Sequence, residues 1–461
     1  MLPVLWLIHM DLQRHFQKHI NDNFPFLKNK KLLIAASGGL DSSVCIRLLH
    51  HLNFKISLAH CNFNLRQKDS DLDELFVSEQ AQNLQIPYFV KSFDTVNYAN
   101  NNGLSIQLAA RELRYDWFDE LMSKNEFDYL ITAHHLDDSL ETFLINLTRG
   151  TGLDGLTGIP EVNNKIIRPL LPFTRDEIEI FAKENNISWR EDNSNLQTKY
   201  LRNKLRHDVI PILKDLNQNF MKSFARTLDN LQGSEQIIKD RIGSVVNEIE
   251  ELQGDVHQFN IAKIKMLSSP KAYLFEILKD YGFTDWKEIV GLLDAQSGKQ
   301  IFSKTNRLVK DRDFLFLTEI KPNTEIKPSK IRENDQEFIS KGLRLKFDNS
   351  SLQALKNGSK DSITVDKNLL KFPLVVRKWE KGDYFYPAGM QGKKKLSKYF
   401  KDEKLSLLEK DKIWLLCTKE NKIIWVIGKR QDDRFKVTMN TIEILKIENE
   451  TSMRKFFSPR E

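Results

Sequence analysis

An α/β fold, with a doubly wound parallel sheet at the amino-terminal end of the 461-residue chain, is what the sequence encodes. Three observations carry this. Short β-rich runs alternate with amphipathic helical stretches from Lys31 onward, the cadence of a parallel sheet with helices on both faces. The first run, Lys31 to Ala36 (KLLIAA), is almost wholly apolar, as a strand covered on both sides must be. A glycine pair follows it directly and opens a helix.

Taken in order, Lys31 to Ala36, Lys55 to His60, Tyr88 to Lys91 and Tyr129 to His134 read as strands. Ser42 to His51, Ser70 to Leu84 and Ser105 to Ser123 read as the helices between them. Ligands of such sheets lie beyond the strand C-termini, so chemistry is expected after Ala36, His60, Lys91 and His134. Beyond Pro211 the pattern turns to long charged amphipathic stretches such as Met221 to Leu252 and predicts a helical region. The polar segment Ile320 to Lys330, with two prolines, reads as a linker. Leu374 to Lys378, Ile413 to Cys417 and Ile423 to Lys429 then predict strands of a small α+β domain. The expected boundaries are 1–212 for a catalytic domain, 213–325 for a helical middle domain and 326–461 for a basic α+β domain.

Composition bounds the function. With 40% hydrophobic and 29% charged residues, 19 Gly and 13 Pro, the chain is neither collagen-like nor low in complexity nor wholly disordered. Cys45, Cys61 and Cys417 form no C-x-x-C pair, which points away from a disulfide framework and toward a reducing, cytoplasmic setting. The apolar stretch Leu2 to Ile8 follows no basic residue, is too short to span a bilayer and precedes no small-residue cleavage site. No membrane role is expected, and either Met1 or Met10 serves as a start. From Lys371 to Glu461 there are 22 Lys+Arg against 13 Asp+Glu, whereas the preceding residues hold 48 against 50. All the excess positive charge therefore lies at the C-terminal end, as a polyanion partner such as nucleic acid would require.

Chemistry is most legible at Ser37-Gly38-Gly39-Leu40-Asp41-Ser42-Ser43. Two glycines allow a sharp turn and bring amide N–H groups near a ligand, and the helix N-terminus adds its positive dipole end. These are the needs of a phosphate cradle, yet the loop is neither a Walker loop nor G-x-G-x-x-G. A second constellation, His134, His135, Asp137, Asp138 and Glu141, sets carboxylates one turn apart on a helix just after a strand. Two histidines and three carboxylates also suit Zn²⁺, Mn²⁺ or Fe²⁺, so a metal-dependent phosphohydrolase is a rival reading.

The Ser37–Ser43 loop resembles the pyrophosphatase (PP) loop of the ATP-dependent nucleotide α-hydrolases. Further segments narrow the resemblance to the bacterial tRNA(Ile)-lysidine synthetases. His60-Cys61-Asn62-Phe63-Asn64-Leu65-Arg66 is similar to that family's His-x-Asn-x-x-Leu-Arg, with Phe63-Asn64 replacing its usual His-Gly. Ala109 to Tyr115 (AARELRY), Thr132 to Thr142 (TAHHLDDSLET), Arg149 to Leu153 (RGTGL), Glu191 to Asn195 (EDNSN) and Tyr200 to Arg206 (YLRNKLR) are similar as well, as are Gly382 to Pro387 (GDYFYP) and Gly392 to Ser397 (GKKKLS).

The resemblance implies ATP-dependent joining of free lysine to C2 of the cytidine at the first anticodon position of a CAU-anticodon isoleucine tRNA. Adenylation turns a poor leaving oxygen into AMP. It further implies that Ser37, Gly38, Gly39, Leu40, Asp41, Ser42, Ser43, His60 and Arg149 bind ATP, with Mg²⁺ held partly by Asp41. Asp41, Asp137, Arg111, Arg114 and His134 are then the catalytic set. Asp137, Asp138 and Glu141 would hold the lysine. Arg202, Arg206, Lys393, Lys394 and Lys395 would meet tRNA phosphates, with Tyr399 and Phe400 as rings for unpaired bases. Another PP-loop enzyme that thiolates or amidates a nucleotide, and a non-catalytic RNA-binding protein, remain alternatives.

Overall fold

The computed structural model describes residues 11–66, 68–191, 201–253, 256–320, 328–340, 342–350 and 360–451. The Leu2 to Ile8 stretch, the alternative starts Met1 and Met10, Asp192 to Asn195, Tyr200 and most of the expected linker (321–327) lie outside them. The chain divides into two compact units, Met1–Asp240 and Arg241–Glu461.

In the first unit the order is α1 (Asp11–Asn23), β1 (Lys31–Ala35), α2 (Leu40–His51), β2 (Lys55–Asn62), α3 (Lys68–Asn83), β3 (Tyr88–Ser92), α4 (Thr95–Asn102), α5 (Ile106–Asn125) and β4 (Tyr129–Ile131). There follow α6 (Leu136–Arg149), α7 (Leu153–Leu156), β5 (Val162–Asn163), β6 (Ile166–Ile167) and α8 (Arg175–Glu184). The sheet runs β3-β2-β1-β4-β6-β5, parallel except for the β5–β6 hairpin. The four expected strands and their helices are thus present. β4 ends early, at Ile131, and Thr132 extends it by donating its N–H to Ile167 O (3.0 Å). The chain moves outward from β1 to β3 and then crosses to the other side of β1, so the switch point lies between β1 and β4.

The apolar strand is explained by its two coverings. Leu32 and Ile34 join the core with α1, α2 and α8, while Leu33 faces the opposite core of Phe93, Trp117, Phe118, Leu121 and Leu130. Successive side chains alternate in direction along a strand, so every residue here must be apolar.

A 30-residue helix, α11 (Phe220–Ile249), follows α9 (Leu201–Lys204), a π-helical turn (Leu205–Val209) and α10 (Ile210–Leu216). The expected helical middle region contains strands beyond it, alongside the helices Ile261–Lys265, Pro270–Leu278 and Trp286–Gly291. Residues 250–320 carry a five-stranded antiparallel sheet, β7 (Glu250–Gln253), β8 (Val256–Asn260), β9 (Gln300–Phe302), β10 (Asn306–Asp311) and β11 (Phe314–Glu319), in the order β7-β8-β11-β10-β9. The strand signal was masked in two ways. Lys310 occupies a buried position of β10, its ammonium on Arg312 O, and the β10–β11 hairpin turns through Arg312 at positive φ without a glycine.

Residues 328–451 form two further antiparallel sheets. One is β12 (Ser329–Ile331), β16 (Leu374–Lys378), β19 (Trp414–Cys417) and β20 (Ile423–Val426); the other is β13 (Glu337–Ser340), β14 (Leu343–Ser350), β21 (Ile444–Asn449) and β15 (Ser362–Asp366). Leu345, Val365, Leu374, Leu416, Trp425 and Ile447 share one core. A ribbon, β17 (Tyr384–Phe385) with β18 (Lys394–Lys395), leads into the helix Leu396–Asp402. Burial pushes the thiols of Cys45, Cys61 and Cys417 to about 12, so they are neutral at neutral pH.

Leu33→Ala would remove a wholly buried side chain between two layers. The expected loss is about 2–5 kcal/mol in the unfolding of the first unit, measured by urea denaturation. A loss below about 1 kcal/mol would contradict a central, doubly covered strand.

Candidate active site

β1 and β4 are neighbours, so the loops that leave their C-terminal ends meet. In the first, Gly38 takes φ +82°, and a Cβ there would stand 3.4 Å from a Phe76 ring carbon. The positive φ demands glycine, while the approach to Phe76 is ordinary van der Waals contact. Gly39 caps α2 with no side-chain hydrogen bond, which leaves the first-turn amides without a side-chain acceptor. Ser42 Oγ donates to Gly39 O (3.0 Å), while Ser43 Oγ is buried with no hydrogen-bond partner. Free amides, a dipole end and an unpartnered hydroxyl fit a phosphate chain.

The second loop delivers His135, which caps α6 with the help of Asp138: its N–H donates to Asp138 Oδ2 (3.0 Å). Its ring, 2% exposed, stands among three carboxylates. Nε2 is 3.7 Å from Asp41 Oδ1 and 3.5 Å from Asp138 Oδ2, and Nδ1 is 3.8 Å from Asp137 Oδ2. Asp41 also pairs with Arg175 (3.1 Å). Burial pushes the Asp41 carboxyl up, against the pull of His135 and Arg175. For Asp138 burial acts the same way, but His135, His134 and Arg202 outweigh it and hold the carboxyl below its usual range. His134 is different: Nδ1 lies 3.0 Å from Thr132 Oγ1, and burial lowers the imidazole to about 4. It is therefore neutral near pH 7.

The carboxylates of α6 face cations from the α9–α10 segment. Arg202 and Arg206 each place Nε 2.5 Å from an oxygen of Glu141, which is 1% exposed, and Arg202 Nη2 lies 3.1 Å from Asp138 Oδ1. Lys214 Nζ is 3.1 Å from Asp137 Oδ1, whose other oxygen accepts the Arg175 N–H (2.8 Å). The π turn has a local cause. Pro211 lacks the N–H that an α-helix would aim at His207 and its ring would crowd that carbonyl. Ile210 instead bonds Leu205 O, five residues back.

This arrangement has counterparts of known name. Residues 8–213 match the PP-loop domain family, 251–320 the TilS substrate binding domain and 374–447 the TilS substrate C-terminal domain. The tRNA(Ile)-lysidine synthase of Parabacteroides distasonis is 35% identical over 426 residues, 91% of this chain and 95% of that protein. That of Bacteroides thetaiotaomicron is 36% identical over 437 residues (94% and 99%), and that of Caldanaerobacter subterraneus 31% over 440 (91% and 94%). This chain belongs to the tRNA(Ile)-lysidine synthase family.

Among the residues singled out from sequence, this lysidine synthase family member brings Asp41, His134, Asp137, Asp138, Glu141, Arg202 and Arg206 to one end of its sheet. His60 is buried and hydrogen-bonded through Nδ1 to Ala36 O (2.8 Å), bracing the start of the phosphate loop. Arg111 lies over the Tyr115 ring at 4.9 Å and Arg114 over Phe63 at 5.2 Å. Arg149 ends α6 and is exposed, roughly 18 Å along the helix from Asp137. In the second unit Lys394 pairs with Asp402 (2.8 Å), whereas Lys393 and Lys395 are exposed. Tyr399 and Phe400, expected to stack on bases, are buried at 1% and 0% exposure, which corrects that expectation.

Sequence reasoning missed Arg175, Arg190 and Lys214. Arg190 donates its N–H to Gly38 O (2.9 Å) and shares Asp73 with Arg66. Arg175 carries a readable signal: a cation at the first position of α8 opposes the helix dipole unless something pairs with it. Arg190 and Lys214 carry none.

Burial holds His134 neutral well below its usual range. The unfolded chain therefore takes up a proton that the folded one refuses, and the stability that His134 contributes is lost as pH falls from about 6.5 to about 4. Urea midpoints measured across that window should drop with pH, and more shallowly in His134→Asn.

Proposed function

We propose that this chain uses ATP to join free lysine to C2 of the first anticodon cytidine of a CAU-anticodon tRNA(Ile), releasing AMP and pyrophosphate and leaving lysidine. The carrying observation is the meeting of the phosphate loop with the α6 carboxylates through His135, 3.7 Å from Asp41. ATP use follows from the PP-loop family; free lysine, the CAU anticodon and a cytoplasmic setting belong to the proposal. Among the described residues no helix is long and apolar enough to cross a membrane.

In the first half-reaction the cytidine O2 attacks the α-phosphate and pyrophosphate leaves. The amides from Gly38 to Ser43 hold the phosphates, and Asp41 is the carboxylate that would bind Mg²⁺. A single carboxylate beside a phosphate cradle suits that ion, which is usually bound through one or two carboxylates and substrate phosphates. Mg²⁺ would supply neutralisation of the triphosphate charge. Arg175, on the same carboxylate, adds positive charge to the phosphate side.

In the second half the lysine ε-amine attacks C2, AMP departs with the C2 oxygen, and a proton is lost from nitrogen. Asp137 is the recognition group for the incoming ammonium. The reading is supported by Lys214, whose own alkylammonium lies 3.1 Å from Asp137 Oδ1. Both oxygens of Glu141 are engaged by Arg202 and Arg206; it orders these arginines beside the RNA substrate. His134 takes part as a neutral imidazole, a donor or acceptor rather than a cation.

Purified protein is expected to release AMP from ATP only with a tRNA(Ile) transcript present, and to incorporate labelled lysine into that RNA. AMP release independent of RNA would refute the proposal. Asp41→Ala should lower AMP release by about a hundred-fold or more. Asp137→Asn should leave AMP attached to the tRNA, since only the second half-reaction needs the amine; labelled ATP and gel analysis of the RNA separate these outcomes.

A further inference from the structure

The basic C-terminal end is not uniformly basic surface. In the β17–β18 ribbon Tyr384 is paired with Lys395 and Phe385 with Lys394. Residues directly opposite in an antiparallel pair share a face, so the ribbon has two unlike sides. Phe385 turns into the core with Leu396, Tyr399 and Phe400. On its side Lys394 is spent within the fold, paired with Asp402 and lying 5.8 Å from the Tyr399 ring.

The other side holds Tyr384, 41% exposed, with the Lys393 ammonium 3.6 Å from its ring centroid and Lys395 across the ribbon. Among the described residues no carboxylate pairs with Lys393 or Lys395. Beside this ring stands a second one, Tyr386, its centroid 6.4 Å away, with the Arg434 guanidinium 4.5 Å from it.

The backbone on both sides of Tyr384 and the Arg434 guanidinium are tied to buried charged groups. Asp432, wholly buried, accepts from Tyr386 N (2.9 Å), Arg434 N (2.9 Å), Arg434 Nε (2.9 Å) and Arg434 Nη2 (2.8 Å). One carboxylate thereby fixes both the backbone beside the ribbon and the plane of the guanidinium. Arg377, also buried, clamps Asp383 through two hydrogen bonds (2.8 and 2.7 Å), just before Tyr384. A solvated basic face needs no such framework.

We propose that this face is a stacking site for an unpaired nucleotide of the tRNA substrate, the base displacing the Lys393 ammonium from the Tyr384 ring and the adjoining phosphate meeting Lys393 and Lys395. Single-stranded RNA offers a flat base and an anion a few ångströms apart, and the protein offers a ring and two ammoniums at matching places. Duplex RNA keeps its bases stacked inside and cannot use the ring. The proposal deepens the RNA-modifying reading above and rests on it.

The test is fluorescence anisotropy of the full-length chain with a tRNA(Ile) transcript, with competition by a short unpaired RNA and by a duplex of equal length. Tyr384→Ala should weaken tRNA binding about ten-fold with an unchanged salt dependence, and Tyr384→Phe, which keeps the ring, should restore it. Lys395→Ala should make the salt slope shallower by about 0.7. The unpaired competitor should outperform the duplex, and lose that advantage against Tyr384→Ala. Unaltered affinity in Tyr384→Ala, or equal competition by both RNAs, overturns the stacking site and leaves the RNA reading standing. Failure of the wild-type chain to bind tRNA(Ile) overturns both.

Discussion

Leu33 and Leu130 are far apart in the chain, yet β1 and β4 pair in parallel with these residues in register, and the site follows from that pairing. Parallel strands at hydrogen-bonding distance, about 4.8 Å apart, deliver their C-terminal loops to the same edge. The phosphate loop and the start of α6 are therefore neighbours before any polar contact is made. His135 then spans the gap, and its burial among Asp41, Asp137 and Asp138 is a consequence of the strand register rather than of attraction alone.

Charge within the site is nearly balanced. Asp41, Asp137, Asp138 and Glu141 face Arg175, Lys214, Arg202 and Arg206. Such pairs contribute little net stability when partly buried, because desolvation offsets attraction, but removing one partner strands the other. Under the proposed function, ligands of either sign would enter by exchange: a phosphate would take a guanidinium from a carboxylate, and an ammonium would take the carboxylate so released. Groups that are already paired would, on that proposal, serve a triphosphate, an RNA and a diamino acid in turn.

Much of this was legible in the sequence because it is written locally. The apolar first strand, the glycine turn and the spacing of Asp137, Asp138 and Glu141 each sit within a few residues, and period-2 and period-3.6 patterns place them. The pairing of Arg202 and Arg206 with Glu141 was not legible, since it depends on how a distant helix crosses α6. Nor could sequence tell His134 from His135: adjacent residues at a strand end point in opposite directions, and only the shortened β4 decides which faces Asp41. Tyr399 and Phe400 misled for a related reason. A basic, aromatic run reads alike whether its rings face solvent or the core, and here the short helix Leu396–Asp402 turns them inward.

The π turn before Pro211 also sets the angular phase of the segment. At about 100° per residue, an unbroken α-helix would leave Lys214 about 80° around the axis from Arg206. One residue absorbed in the wider turn takes back about 100° and aligns the two to within about 20°. Arg202, Arg206 and Lys214 become teeth of one comb against α6: both arginines engage Glu141, Arg202 also reaches Asp138, and Lys214 meets Asp137 one turn nearer the start of the helix. A proline thus works as a vernier, and a change of one residue in the length of this segment would throw the comb out of mesh while leaving the helix itself intact.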